Sequence, residues 1–114
     1  MEECIFCKIA KSKISENIIY QNSNFFSIPN INPKVKGHAL VISRKHFETV
    51  LDLPNLIGSD LLDCIKNTTL KLFKEDVKGF NVANNNFEIA GQVVHHVHFH
   101  ILPRREDDNF NLGI

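Results

Sequence analysis

The run His95-His96-Val97-His98-Phe99-His100-Ile101-Leu102 decides how the rest of the chain is read. In a β-strand, neighbouring side chains point to opposite faces. His96, His98 and His100 therefore share one face. Val97, Phe99 and Ile101 share the other, which is apolar enough to pack on a core. Histidines two apart stand ~7 Å from each other along the strand, so one ligand can meet two of the three rings. A polar sheet face carrying histidine by chance would not place three in strict alternation opposite three apolar residues.

Working outward, His96 to Leu102 is expected to be the last strand, ended by Pro103. Phe80 to Ala83 reads as the strand before it, followed by the loop Asn84-Asn85-Asn86. Residues 59–76 carry helical spacing, with Leu61, Leu62, Ile65, Thr69, Leu72 and Phe73 on one face. Ser59 is the expected N-cap. Asp60, Asp63 and Lys74 suit the helix dipole, and Gly79 is the expected stop. Upstream, His38 to Ser43 reads as a strand with a buried run, Ala39-Leu40-Val41-Ile42. Asn17 to Gln21 and Phe25 to Ile28 form a hairpin pattern around Asn22-Ser23-Asn24. Residues 4–10 fit one or two helical turns, and Arg105 to Ile114 reads as a polar, frayed tail. About five strands with hairpin-like spacing and one long helix predict an α+β fold with an antiparallel sheet.

Composition narrows the function classes. A chain of 114 residues is one domain's worth, expected to span 1–114 with a core at about 4–104. Lys plus Arg equals Asp plus Glu, 13 against 13, so the basic footprint of a nucleic-acid binder is missing. No run of 18 apolar residues exists, and Met1-Glu2-Glu3 is acidic where a signal peptide is basic. The expected location is cytoplasmic, with neither membrane nor nucleic-acid polymer as partner.

The three cysteines are Cys4, Cys7 and Cys64. An odd count argues against a disulfide framework. Cys64 falls on the apolar helix face and reads as small core filler. Cys4 and Cys7 form a C-x-x-C, whose spacing suits two thiolates on one metal or a redox pair. A zinc site needs two further ligands.

Two chemistries fit the histidine face. One is a catalytic metal held by H-x-H with an open position for water. The other is covalent catalysis, with a neutral imidazole attacking phosphorus near pH 7. The second needs donors for the phosphate oxygens, and Asn85, Gln92 and the backbone near Ala90-Gly91 supply them. A metal site favours nearby carboxylates, and only Glu88 qualifies.

The same stretch, His96-Val97-His98-Phe99-His100-Ile101-Leu102, resembles the histidine triad (HIT) family of nucleotide hydrolases and transferases. Ala90-Gly91-Gln92 and Pro103-Arg104 resemble it too, as do Cys4-Ile5-Phe6-Cys7-Lys8-Ile9 and Gly37-His38-Ala39-Leu40-Val41-Ile42-Ser43-Arg44-Lys45-His46. The resemblance covers about Cys4 to Arg104 and implies five antiparallel strands, one long and one short helix, and a homodimer joining two sheets. It implies catalysis by His98 as nucleophile on the α-phosphorus of a purine nucleotide, with His100 beside the phosphate and His96 completing the triad. The expected reaction is hydrolysis of nucleoside 5′-phosphoramidates or related conjugates to the monophosphate. The alternatives are a dinucleoside polyphosphate hydrolase and a nucleotide-binding regulator with little turnover.

By the same resemblance, Asn85 and Gln92 lie near the phosphate. Ile5, Phe6, Ile9 and Ile28 form the base pocket, and Asn30 takes the place of an aspartate that holds the ribose. Val93 replaces a Ser or Thr that can help protonate the leaving group. Members with an N-terminal C-x-x-C bind structural zinc, here through Cys4, Cys7, His46 and His96. His38 and His95 are left as surface histidines.

Overall fold

The computed structural model describes residues 4–12 and 17–114. Met1-Glu2-Glu3 lies outside the described residues. The elements are α1 (Ile5–Lys11), β1 (Tyr20–Gln21), β2 (Phe25–Pro29), β3 (Ala39–Ser43), α2 (Gly58–Leu72), β4 (Gly79–Ala83) and β5 (His98–Arg104). The five strands form one antiparallel sheet in the order β1-β2-β3-β5-β4. The expected α+β class is thus the observed one, with one long and one short helix.

β3 is buried along its whole length, which explains why Ala39-Leu40-Val41-Ile42 is continuously apolar rather than alternating. Ala39 and Val41 join Phe25, Val97, Phe99, Ile101 and Cys64 in the core beneath α2. Leu40 and Ile42 face the other way, against Phe6 of α1 and Phe26. Cys64 is fully buried and acts as the small core filler expected of it. α1 has seven residues, too few to persist alone. Burial of the Phe6 ring holds it on the sheet, a contribution of about 2 kcal/mol.

The register places the histidines. Ile42 pairs with His98 and Leu40 with His100, so both imidazoles share the α1 face. Val97, Phe99 and Ile101 pack toward α2, as the alternation predicts.

Several boundaries differ from expectation. The last strand starts at His98 and continues through Pro103 to Arg104. β3 flanks β5 only from His98 to Ile101, while Pro103 pairs with Phe80 alone, so no ladder bond is lost on its open side. α2 runs straight out of a 3-10 turn at Asn55–Ile57 with no side-chain cap, so Ser59 is not the N-cap. Asp60 and Asp63 instead accept from Asn24, Asn22 and Tyr20, tying the β1–β2 turn to the helix. α2 stops at Leu72 because Phe73 turns to extended backbone and meets Phe80 edge-on, and Gly79 opens β4 rather than ending the helix.

The stretch from Arg105 to Phe110 is tied to the sheet rather than frayed. Arg104 grips both oxygens of Asp108, at 2.7 and 3.0 Å, and its guanidinium lies over the Phe110 ring. That pairing holds the Asp108 carboxyl well below the usual range. Among the described residues no helix is long and apolar enough to cross a membrane.

Candidate active site

Two histidine clusters meet at the start of β5. The first gathers Cys4, Cys7, His46 and His96, whose ligand atoms all lie within 4.8 Å of one another. Cys4 caps the N-terminus of α1, with its Sγ accepting from the Cys7 backbone N–H, so the helix turn brings both sulfurs together. The His96 Nδ1 lies 3.2 Å from Cys4 Sγ and 3.5 Å from Cys7 Sγ, and the His46 Nδ1 lies 3.2 Å from Cys7 Sγ.

His96 is fully buried. Its Nε2–H donates to the Ser43 carbonyl at 2.8 Å, which leaves the Nδ1 lone pair facing the sulfurs. Such a bond on the far nitrogen is the usual support of a metal-ligating histidine. Ligand-to-metal bonds of about 2.0–2.3 Å in a tetrahedron imply ligand separations of roughly 3.3–3.8 Å, close to the spacings seen. Burial, followed by the neighbouring Cys4, pushes the Cys7 thiol up; a dication between the sulfurs would offset that cost. Two soft thiolates and two imidazoles fit zinc.

The second cluster is a chain of imidazoles. The Lys34 backbone N–H donates to His38 Nδ1 at 3.0 Å, so neutral His38 carries its proton on Nε2. That Nε2–H donates to His100 Nδ1 at 2.9 Å, which leaves the His100 proton on Nε2. Beside it, His98 Nδ1–H donates to the His96 carbonyl at 2.8 Å, so the His98 Nε2 carries a lone pair. Asn84 donates to the His98 carbonyl and steadies the same backbone. Burial pulls His38 and His98 below the ordinary imidazole range. Burial first, then His98, His38 and Lys34, push His100 down to about 4. All three rings are therefore neutral near pH 7. The site offers one nucleophilic nitrogen next to one fixed N–H donor.

His98 and His100 open onto a cavity of about 880 Å³, toward the upper end for small-molecule sites. Ile5, Phe6, Ile9 and Ile28 line it together, and so does Asn30. Val93 stands at its rim, 86% exposed. A smaller cleft of about 200 Å³ beneath the loop before α2 is lined by no titratable side chain, so the chemistry lies in the larger one.

Two expectations are corrected. His38 is not a surface residue but is 3% exposed and bonded to His100. The strand parity it shares with Leu40, which pairs with His100, was the available signal. Gln92 does not reach the cavity. It is buried, accepting from the Phe87 N–H and donating to the Glu48 carbonyl, each at 2.7 Å. It thereby staples the loop after β4 to the segment after β3. The Asn85 amide donates to the Gly91 carbonyl. His95 is exposed, as expected.

The family model of the HIT domain matches residues 11–107. This chain belongs to the HIT domain family. An uncharacterised HIT-like protein from Methanocaldococcus jannaschii is 41% identical over 105 residues, covering 92% of this chain and 81% of that protein. An adenosine 5′-monophosphoramidase from Candida albicans is 37% identical over 116 residues, covering 97% and 76%. The crystal structure of a Zn-bound histidine triad family protein from Mycobacterium smegmatis superposes with a TM-score of 0.83 at 29% identity, over 96% of this chain and 81% of that one. The HIT fold is therefore shared with solved members of the family.

Proposed function

We propose that this HIT protein is a hydrolase that cleaves nucleotides at the α-phosphorus through a nucleotidyl-histidine. The observation that carries the proposal is the fixed tautomer of His98, whose Nδ1–H is spent on the His96 carbonyl and whose Nε2 lone pair faces the cavity. In the first step that lone pair forms a nitrogen–phosphorus bond while the bond to the leaving group breaks with its electron pair, an expelled amine taking its proton from solvent. In the second, water adds to phosphorus, the nitrogen–phosphorus bond breaks, and the nucleoside monophosphate leaves.

His100 presents its Nε2–H to a phosphate oxygen as charge develops. It does not give that proton up, since the product would be an imidazolate. Ile5, Phe6, Ile9 and Ile28 supply an apolar sleeve for a purine, and the Asn30 amide lies where it can meet ribose hydroxyls. Asn85 and Gln92 act by holding the loop that carries Val93. Nucleoside 5′-phosphoramidates are the first substrates to test, in keeping with the activity named for the Candida relative. Dinucleoside polyphosphates are the second, favoured by Asn30.

Zinc belongs in the Cys4, Cys7, His46 and His96 cluster, where it would pin α1 to the sheet and leave His98 and His100 free. A homodimer would use β4, the longer of the two edge strands, which carries half-exposed Phe80 and Val82. The fold forms one HIT unit, with the 105–114 segment part of it.

The test is His98→Asn. Turnover of adenosine 5′-phosphoramidate should fall at least ~10³-fold, while AMP binding stays within a few-fold by calorimetry. Wild-type protein quenched during turnover with α-³²P-labelled substrate should carry label that His98→Asn lacks. An unlabelled wild type with undiminished turnover in His98→Asn would refute the mechanism.

A further inference from the structure

Neither Val93 nor the two imidazoles lining the cavity can protonate what leaves. Val93 has no hydroxyl. His100 is locked as a hydrogen-bond donor by His38. His98 has its one proton on the His96 carbonyl. An amine expelled from phosphorus needs a proton, whereas sulfate or a polyphosphate departs as a stable anion.

The cavity's charge points the same way. Among the described residues lining it, Lys34 alone carries a formal charge at neutral pH, and none is a carboxylate. Lys34 is exposed and forms no ion pair among the described residues. Its backbone N–H is fixed on His38, so its side chain springs from the rim beside the His38–His100 pair. Its charge is near enough to act on both rings.

We infer that Lys34 is a specificity-determining residue, and that this site is tuned to nucleotides whose leaving group is an anion, a sulfate or a further phosphate, in preference to an amine. The inference rests on the nucleotide hydrolase reading and narrows its substrate class. Lys34 acts as a fixed positive charge that lowers the cost of negative charge building on the departing group. It takes no part in forming or breaking bonds.

Adenosine 5′-phosphosulfate and adenosine 5′-phosphoramidate make a matched pair, sharing the adenylate and differing in the group expelled. With wild-type, Lys34→Met and Lys34→Arg proteins, kcat/KM is measured on both. Lys34→Met should lose about tenfold on the phosphosulfate and less than threefold on the phosphoramidate. Lys34→Arg keeps the charge but does not release a proton, and should recover the phosphosulfate activity to within about threefold. Equal losses on both substrates, no loss on the phosphosulfate, or a larger loss on the phosphoramidate would overturn the proposal. The last would make Lys34 a proton donor.

A binding arm separates this from the underlying reading. On a His98→Asn background, ADP should bind more tightly than AMP, and Lys34→Met should remove the difference. Equal binding of AMP and ADP defeats the Lys34 proposal alone. Absence of binding by either nucleotide defeats the hydrolase reading as well.

Discussion

The two histidine clusters are built from the same side chain, almost back to back, yet they are arranged for different work. His96 and His98 are two residues apart, and both are buried. In the first cluster, His96 spends Nε2–H on the Ser43 carbonyl and turns Nδ1 to the sulfurs. In the second, His98 spends Nδ1–H on the His96 carbonyl and turns Nε2 to the cavity. The backbone group bonded to the far nitrogen sets which lone pair is available and where it points. The first cluster converges its donors on one point, as a dication requires. The second strings them in a line that ends at open space, as a reacting phosphate requires. His96 belongs to both, through its ring in one and its carbonyl in the other.

The largest expected effect within this comparison is at His38, which orients the second cluster without lining the cavity. His38→Asn frees the His100 tautomer, and kcat should fall about 10–100-fold with KM changed less than threefold. A proportionate rise in KM instead would show His38 acting on binding. Next comes the first cluster. The protein should carry about one zinc per chain by elemental analysis. Cys4→Ser with Cys7→Ser should abolish that metal and lower Tm by about 5–10 °C. KM should rise more than kcat falls, because α1 carries cavity residues Phe6 and Ile9. An unchanged Tm would break the assignment of a structural role.

The smallest effect is on the pH dependence of stability. His100 sits near pKa 4 when folded against an ordinary value of 6.5. Between those values the unfolded chain binds the extra proton, so stability present at neutral pH is lost as pH falls from about 6.5 to about 4. His38 titrates in the same direction. Urea midpoints measured across that range should decline, and His100→Asn should flatten the slope by about one proton.

Much of this was legible from one strand. Strict alternation around Val97, Phe99 and Ile101 placed the histidines on one face, and the continuous run in β3 announced a strand covered on both sides. The gathering of Cys4, Cys7, His46 and His96 also followed from the family resemblance. Gln92 was misplaced because an amide reads the same whether it meets a phosphate or the backbone. Only its neighbours, the Phe87 N–H and the Glu48 carbonyl, show that its bonds are already made. The stop at Pro103 failed because a proline breaks a ladder only where a second strand flanks it.

By itself, the sequence determined the sheet, the face that carries the chemistry, and the residue types available to it, because periodicity and composition are local properties. The tertiary structure decided which histidine does what. That choice depends on hydrogen bonds between residues as far apart as Ser43 and His96, or His38 and His100. No periodicity encodes which nitrogen of a ring keeps its proton.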